Sequence, residues 1–148
     1  TLMYIEKIRK ADITKRESLN AALRVLNKLN LPDSCIIAGS VGLVLHGCNI
    51  DRQHSIYEVD IITPYFQPLG EVNNYQAAFS GSDFDYSVNI GNIKVDIKID
   101  PKAKYEIKQF NGKYYKVALL SDIIYYKAKY ARKGQSKHQQ DIRKISFL

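Results

Sequence analysis

The chain has 148 residues, 45% of them hydrophobic, and a formal net charge of +7. That is enough material for one domain, residues 1–148, with a proper core, and no apolar run of about 18 residues exists to cross a membrane. The first residues, "TLMYIEKIRK", carry neither the apolar stretch nor the small-residue cleavage site of a secretory signal, so a cytoplasmic protein is expected.

Leu19, Leu23, Leu26 and Leu29 recur at helical spacing and predict an amphipathic helix over 14 to about 30, stopped by "NLPDS". "CIIAG" follows as a short buried strand, running directly into a helix from Ser40 to Gly47. Cys35 and Cys48 have no zinc-ligand spacing and read as reduced core thiols. After a polar loop comes a strand over 57–63, "YEVDIIT". Residues 64–83 are mixed, with turns at Pro64, Pro68 and Gly70, and "EVNNYQAAF" is compatible with a short helix. "FDYSVNI" and "IKVDIKI" predict a hairpin about Gly91-Asn92, and "YEIKQF" and "YYKVA" a second about Asn111-Gly112. Ser121 can cap a helix with Ile124, Ala128 and Ala131 on one face, and a last helix is expected near 137–146.

Charge is unevenly spread. Residues 1–93 hold 8 Lys/Arg and 10 Asp/Glu, a net of −2, whereas residues 94–148 hold 14 Lys/Arg and 5 Asp/Glu, a net of +9. The basic third interleaves Lys with Tyr, which suits a polyanion such as RNA or a nucleoside triphosphate, and equally suits a solvated lysine-rich surface.

Two features point to chemistry. Residues i and i+2 of a strand share a face, so Glu58 and Asp60 point one way while Val59 and Ile61 pack on the other side. Asp96 sits likewise on the strand of Ile93, Val95, Ile97 and Ile99, so three carboxylates would converge if the two strands are neighbours. Two carboxylates about 7 Å apart repel by roughly 2 kcal/mol at an effective dielectric near 20, a cost that a divalent metal, lysines or bulk water can offset. Upstream, "IIAGS" ends a buried strand in Gly39-Ser40 at a helix start, where backbone N–H groups and a hydroxyl suit a phosphate. It is not a P-loop, since no second glycine is followed by Lys-Ser/Thr.

Together, Gly39-Ser40, then a helix, then Glu58-Val59-Asp60, then Asp96 resemble the nucleotidyltransferase superfamily, the fold of DNA polymerase beta, in the branch of abortive-infection toxins and antibiotic nucleotidyltransferases. His46-Gly47, Arg52 and the tail "LLSDIIYYKAKYARKGQSKHQQDI", with Lys127, Lys137 and Asp141, extend the resemblance over residues 35 to 145. Glu58 stands where Asp is more usual, the spacer from Gly39 is long, and His138 replaces a common Asp.

The resemblance implies an α/β (α+β) fold with a mixed sheet of about five strands, flanking helices and C-terminal helices. It implies a metal-dependent nucleotidyltransferase moving a nucleoside monophosphate from an NTP to an acceptor hydroxyl. Glu58, Asp60 and Asp96 would be catalytic and hold Mg²⁺, two ions in all. Gly39, Ser40, Lys127 and Lys137 would bind the nucleotide, and Asp96 would act as, or orient, the base. Implied partners are the NTP, an RNA or tRNA acceptor, and an antitoxin-like protein or a second copy. Residue by residue, Lys127 reads equally as an exposed helix lysine, Asp141 as a surface acid and His46 as a packed histidine. An inactive relative that binds nucleotide or RNA, and a structural protein with a solvated acidic stripe, stay open.

Overall fold

The computed structural model describes residues 2–48, 57–69, 75–77 and 84–132. The predicted last helix, and with it Arg52, Lys137, His138 and Asp141, lies outside those residues. Among the described residues the architecture is α+β: one mixed sheet of seven strands, in the order β3-β4-β5-β2-β1-β7-β6, with three helices.

The first helix, α1 (Leu2–Leu29), starts well before the predicted residue 14. Its sequence contains no Gly or Pro to interrupt it. It stops at Asn30, which takes a left-handed φ of 47° and donates its N–H to the Leu26 carbonyl at 3.2 Å, two residues ahead of Pro32.

Strand β1 (Ile36–Ala38) and helix α2 (Gly39–Leu45) follow without a loop, the helix opening one residue earlier than expected. The strand lies inside the sheet, antiparallel to β2 (Glu58–Thr63) and parallel to β7 (Lys113–Ala118). β2 in turn runs parallel to β5 (Ile93–Ile99), which is hairpinned to β4 (Tyr86–Ile90). β6 (Tyr105–Phe110) pairs with β7 through the turn at Asn111-Gly112, where both residues have positive φ, 53° and 77°.

The sheet exceeds the expected five strands partly because Tyr75–Ala77, inside the segment compatible with a helix, forms β3. It pairs antiparallel with β4, and that edge of the sheet offers a three-residue segment hydrogen-bond partners that an isolated short helix lacks. Ser121 is not the cap of α3 (Leu120–Arg132): the helix begins before it, and the N–H groups of Asp122 and Ile123 bond back to the Leu119 carbonyl.

One face of the sheet is the core. Ile37, Val59, Ile61, Val88, Val95, Ile97 and Val117 are buried there, together with Ala22, Val25 and Leu26 of α1 and Val41, Val44 and Leu45 of α2. At roughly 25 cal/mol per Å² of apolar surface, each such aliphatic contributes about 1.5–3 kcal/mol. Over residues 120–129 of α3 the buried positions are Ile123 and Lys127, one turn apart, and Ile124 and Ala128 of the expected stripe are only half-buried. Both cysteines are free and buried as predicted. Burial pushes the Cys35 thiol up to about 11, against a smaller lowering by Lys116 and a hydrogen bond with Ser34.

Candidate active site

The strand pair 58–63 and 93–99 that had to be adjacent for the acids to meet is adjacent. β2 and β5 are parallel neighbours, with Asp60 opposite Asp96 and Glu58 opposite Lys94. Because registered residues share a face, Glu58, Asp60, Lys94, Asp96 and Lys98 all project from the face opposite the core. The burial pattern agrees: Val59, Ile61 and Thr63 are buried, Asp60 is half-buried and Glu58 is exposed. Lys94 Nζ lies 3.8 Å from Asp96 Oδ1, an intermediate-range ion pair that offsets part of the carboxylate repulsion. Among the described residues no three Asp, Glu, His or Cys side chains gather into a metal cage. Of the three acids expected to do so, Asp60 and Asp96 are direct neighbours, and Glu58 is displaced two residues along the face.

Gly39 joins this pair to the start of α2. It adopts φ +60°, and a Cβ added there would overlap the Asp60 carboxylate, with Cγ at 2.8 Å. Register explains the approach, since Ala38 is paired with Asp60 and the chain turns off β1 immediately afterwards. Only glycine meets both demands, a left-handed backbone and no side chain. A second close approach sits one turn on. At Gly42 a Cβ would meet Ile123 Cδ1 at 2.9 Å and the Ile37 carbonyl oxygen at 3.3 Å, so α2 lies tight between β1 and α3.

That packing brings in a cation. Lys127 is 4% exposed, and its Nζ donates to Ser40 Oγ at 3.2 Å. A lysine this buried needs polar partners for its charge, and Ser40 is one of them. Helix α2 has only seven residues, so a helix dipole adds little, and the positive charge at Gly39-Ser40 is that of Lys127. Sequence periodicity missed the burial of Lys127 because a lysine does not score as part of an apolar stripe; its i+4 spacing from Ile123 was the available signal.

His46 points elsewhere. It caps the end of α2, its Nε2 donating to the Ala118 carbonyl at 2.8 Å and its Nδ1 facing Glu106 Oε1 at 3.2 Å. It ties α2 to β7 and β6, which is the packed role and not a part of the acid site.

The arrangement thus comprises two opposed carboxylates, a glycine backbone pressed against one of them, and a serine hydroxyl held by a buried ammonium. No model of a known protein family matches the chain, and no curated protein does. One solved structure that it resembles is that of the antibiotic-resistance factor ANT(2'')-Ia in solution, at 18% identity and TM-score 0.47, covering 89% of this chain and 82% of that one. A likeness at that level assigns no activity to this chain.

Proposed function

We propose that the chain is a metal-dependent nucleotidyltransferase of the DNA polymerase beta-like superfamily, moving a nucleoside monophosphate from an NTP to an acceptor hydroxyl, with RNA favoured over a small molecule or a protein. The observation that carries this reading is the contact of the Gly39 backbone with Asp60, itself opposite Asp96, beside Ser40 and the buried Lys127. An anion-binding turn and an acidic pair placed side by side suit a substrate that arrives as a metal-triphosphate.

The donor set fits magnesium. The ion prefers oxygen ligands and is commonly held by one or two carboxylates, the rest of its shell coming from water and substrate phosphates. Asp60 and Asp96 would hold it, with Glu58 adding negative charge on the same face. When bound, Mg²⁺ would neutralise triphosphate charge and polarise the phosphoryl oxygens.

The chain's own groups then have distinct tasks. The Gly39 and Ser40 backbone N–H groups and the Ser40 hydroxyl hold the β- and γ-phosphates, and Lys127 supplies a fixed positive charge beside them. Asp96 orients the acceptor hydroxyl and takes, or passes on, its proton. The hydroxyl oxygen bonds to the α-phosphorus, the bond from that phosphorus to the bridging oxygen breaks, and pyrophosphate leaves with the electron pair.

Transfer of α-labelled NMP from each NTP to RNA, tRNA included, tests this with and without Mg²⁺. Asp60→Asn keeps the side-chain shape and is expected to cut transfer by at least ~100-fold while the melting temperature stays within a few degrees. Undiminished transfer by Asp60→Asn would refute the assignment. NTP binding without transfer, under all four NTPs, would favour the non-catalytic relative, which the neutralising Lys94–Asp96 pair would suit.

A further inference from the structure

Strand β6 is an outer strand: among the described residues it has β7 on one side and no strand on the other. It keeps unbroken register with β7 over all six of its residues, with no Pro, Gly or bulge, and so lacks devices that commonly blunt an edge. The opposite edge, β3, is only three residues long. On β6 the aliphatic Ile107 is 62% exposed and Tyr105 44%.

The turn fixes which backbone groups face outward. Asn111 and Gly112 both have positive φ, the two-residue turn that closes on a hydrogen-bonded pair, here Phe110 and Lys113. Hydrogen-bonded and non-hydrogen-bonded pairs alternate along an antiparallel ladder. Lys108 and Glu106 therefore bond to β7 as well, while the N–H and C=O groups of Gln109, Ile107 and Tyr105 point away from it. These three residues are placed to receive another strand.

Charge order selects that strand. An antiparallel copy of β6 bonds only in registers that set outward-facing residue against outward-facing residue. With Ile107 on the two-fold axis, Tyr105 lies opposite the partner's Gln109 and Glu106 opposite the partner's Lys108, and symmetry makes both pairs twice. Centring on Glu106 instead would set that acid against itself and Lys104 against Lys108, and centring on Lys108 would set that lysine against itself. Of these registers, the one about Ile107 pairs unlike charges. Lys108 Nζ already lies 3.3 Å from Glu106 Oε1 within the chain, so two copies would complete a square of alternating sign. On the other face Ile107 would meet Ile107, with a tyrosine diagonal to each.

We infer that β6 is the interface of a homodimer, pairing antiparallel with β6 of a second copy about Ile107 and making the two sheets continuous. This pairing is independent of the nucleotidyltransferase reading.

Sedimentation equilibrium of the full chain, from about 1 to 200 µM, tests it and should show a monomer–dimer equilibrium with a Kd of about 1–100 µM, as suits a small interface. Glu106→Lys and Lys108→Glu each set like charges across the axis and should weaken the dimer at least ~10-fold. An equal mixture of the two should regain native affinity within about threefold, because each variant then meets its complement. Ile107→Pro probes the backbone without touching charge. Its N–H points outward, so the proline ring removes no hairpin hydrogen bond: circular dichroism should stay native while the dimer is lost. A native chain that stays monomeric throughout, a dimer that survives Ile107→Pro, or folded charge variants whose mixture stays monomeric overturns the pairing. Unfolding by Ile107→Pro overturns it too, since the N–H of Ile107 would then face β7.

Discussion

Replacing Gly39 by alanine probes the contact on which the candidate site is built. Two costs add. A left-handed φ of 60° costs an alanine about 1–2 kcal/mol, and the new methyl overlaps the Asp60 carboxylate, with Cγ at 2.8 Å and Cβ at 3.0 Å, an overpacking of about 1–3 kcal/mol. Urea unfolding of Gly39→Ala should therefore show a loss of about 2–5 kcal/mol, a midpoint shift of roughly 1–2.5 M at a slope near 2 kcal/mol/M. The two costs separate in a double-mutant cycle. In an Asp60→Ala background the carboxyl group is gone, leaving the backbone strain and a marginal contact with Cβ at 3.0 Å, so the same substitution should cost about 2 kcal/mol. Asp60→Asn, which keeps the atoms that collide, should leave the full cost in place. Equal costs for Gly39→Ala in the native and Asp60→Ala backgrounds would refute the steric argument, and with it the claim that Gly39 is glycine in order to sit against this acid.

Two further outcomes follow from the buried groups. Lys127→Met keeps the length of the side chain but removes the donor to Ser40 Oγ, so stability should fall by about 1–3 kcal/mol. The thermal stabilisation that NTP and Mg²⁺ confer should nevertheless vanish, and its survival would remove Lys127 from the nucleotide site. Cys35 bears on pH. Its folded pKa of about 11 lies above the ordinary 9.0, so below pH 9 the thiol is protonated in both states and costs nothing. As pH rises from 9 to 11 the unfolded chain ionises first, and about 2–3 kcal/mol of stability should be lost. Chemical denaturation across that range should show a correspondingly shallower fall for Cys35→Ala, and identical profiles would contradict the assignment.

What could be read in the residues, and what could not, divides along physical lines. Period-2 alternation in "EVDIIT" and "IKVDIKI" set the acids on one face and the aliphatics on the other, and the fold keeps that division because a one-residue slip would bury charge. Alternation along single strands does not say which strands are neighbours. The pairing of Asp60 with Asp96, and the absence of a third acid beside them among the described residues, emerged only from the sheet. Length misled at Tyr75–Ala77, where three residues carry too little pattern to tell strand from helix and an available edge decided the matter. Polarity misled at Lys127, whose place inside the packing depends on a partner 87 residues earlier in the chain.

The position of β1 has a mechanical consequence. Among the described residues, Ile36–Ala38 is the strand that joins the acidic strands β2 and β5 to the basic hairpin β6–β7 in the sheet order. With so few ladder bonds at the seam, the hairpin's place in the sheet depends on Val117 in the core and on His46, which ties α2 to β7 and β6. The same seam runs straight into Gly39. The backbone that pairs with β7 is therefore continuous with the backbone that touches Asp60.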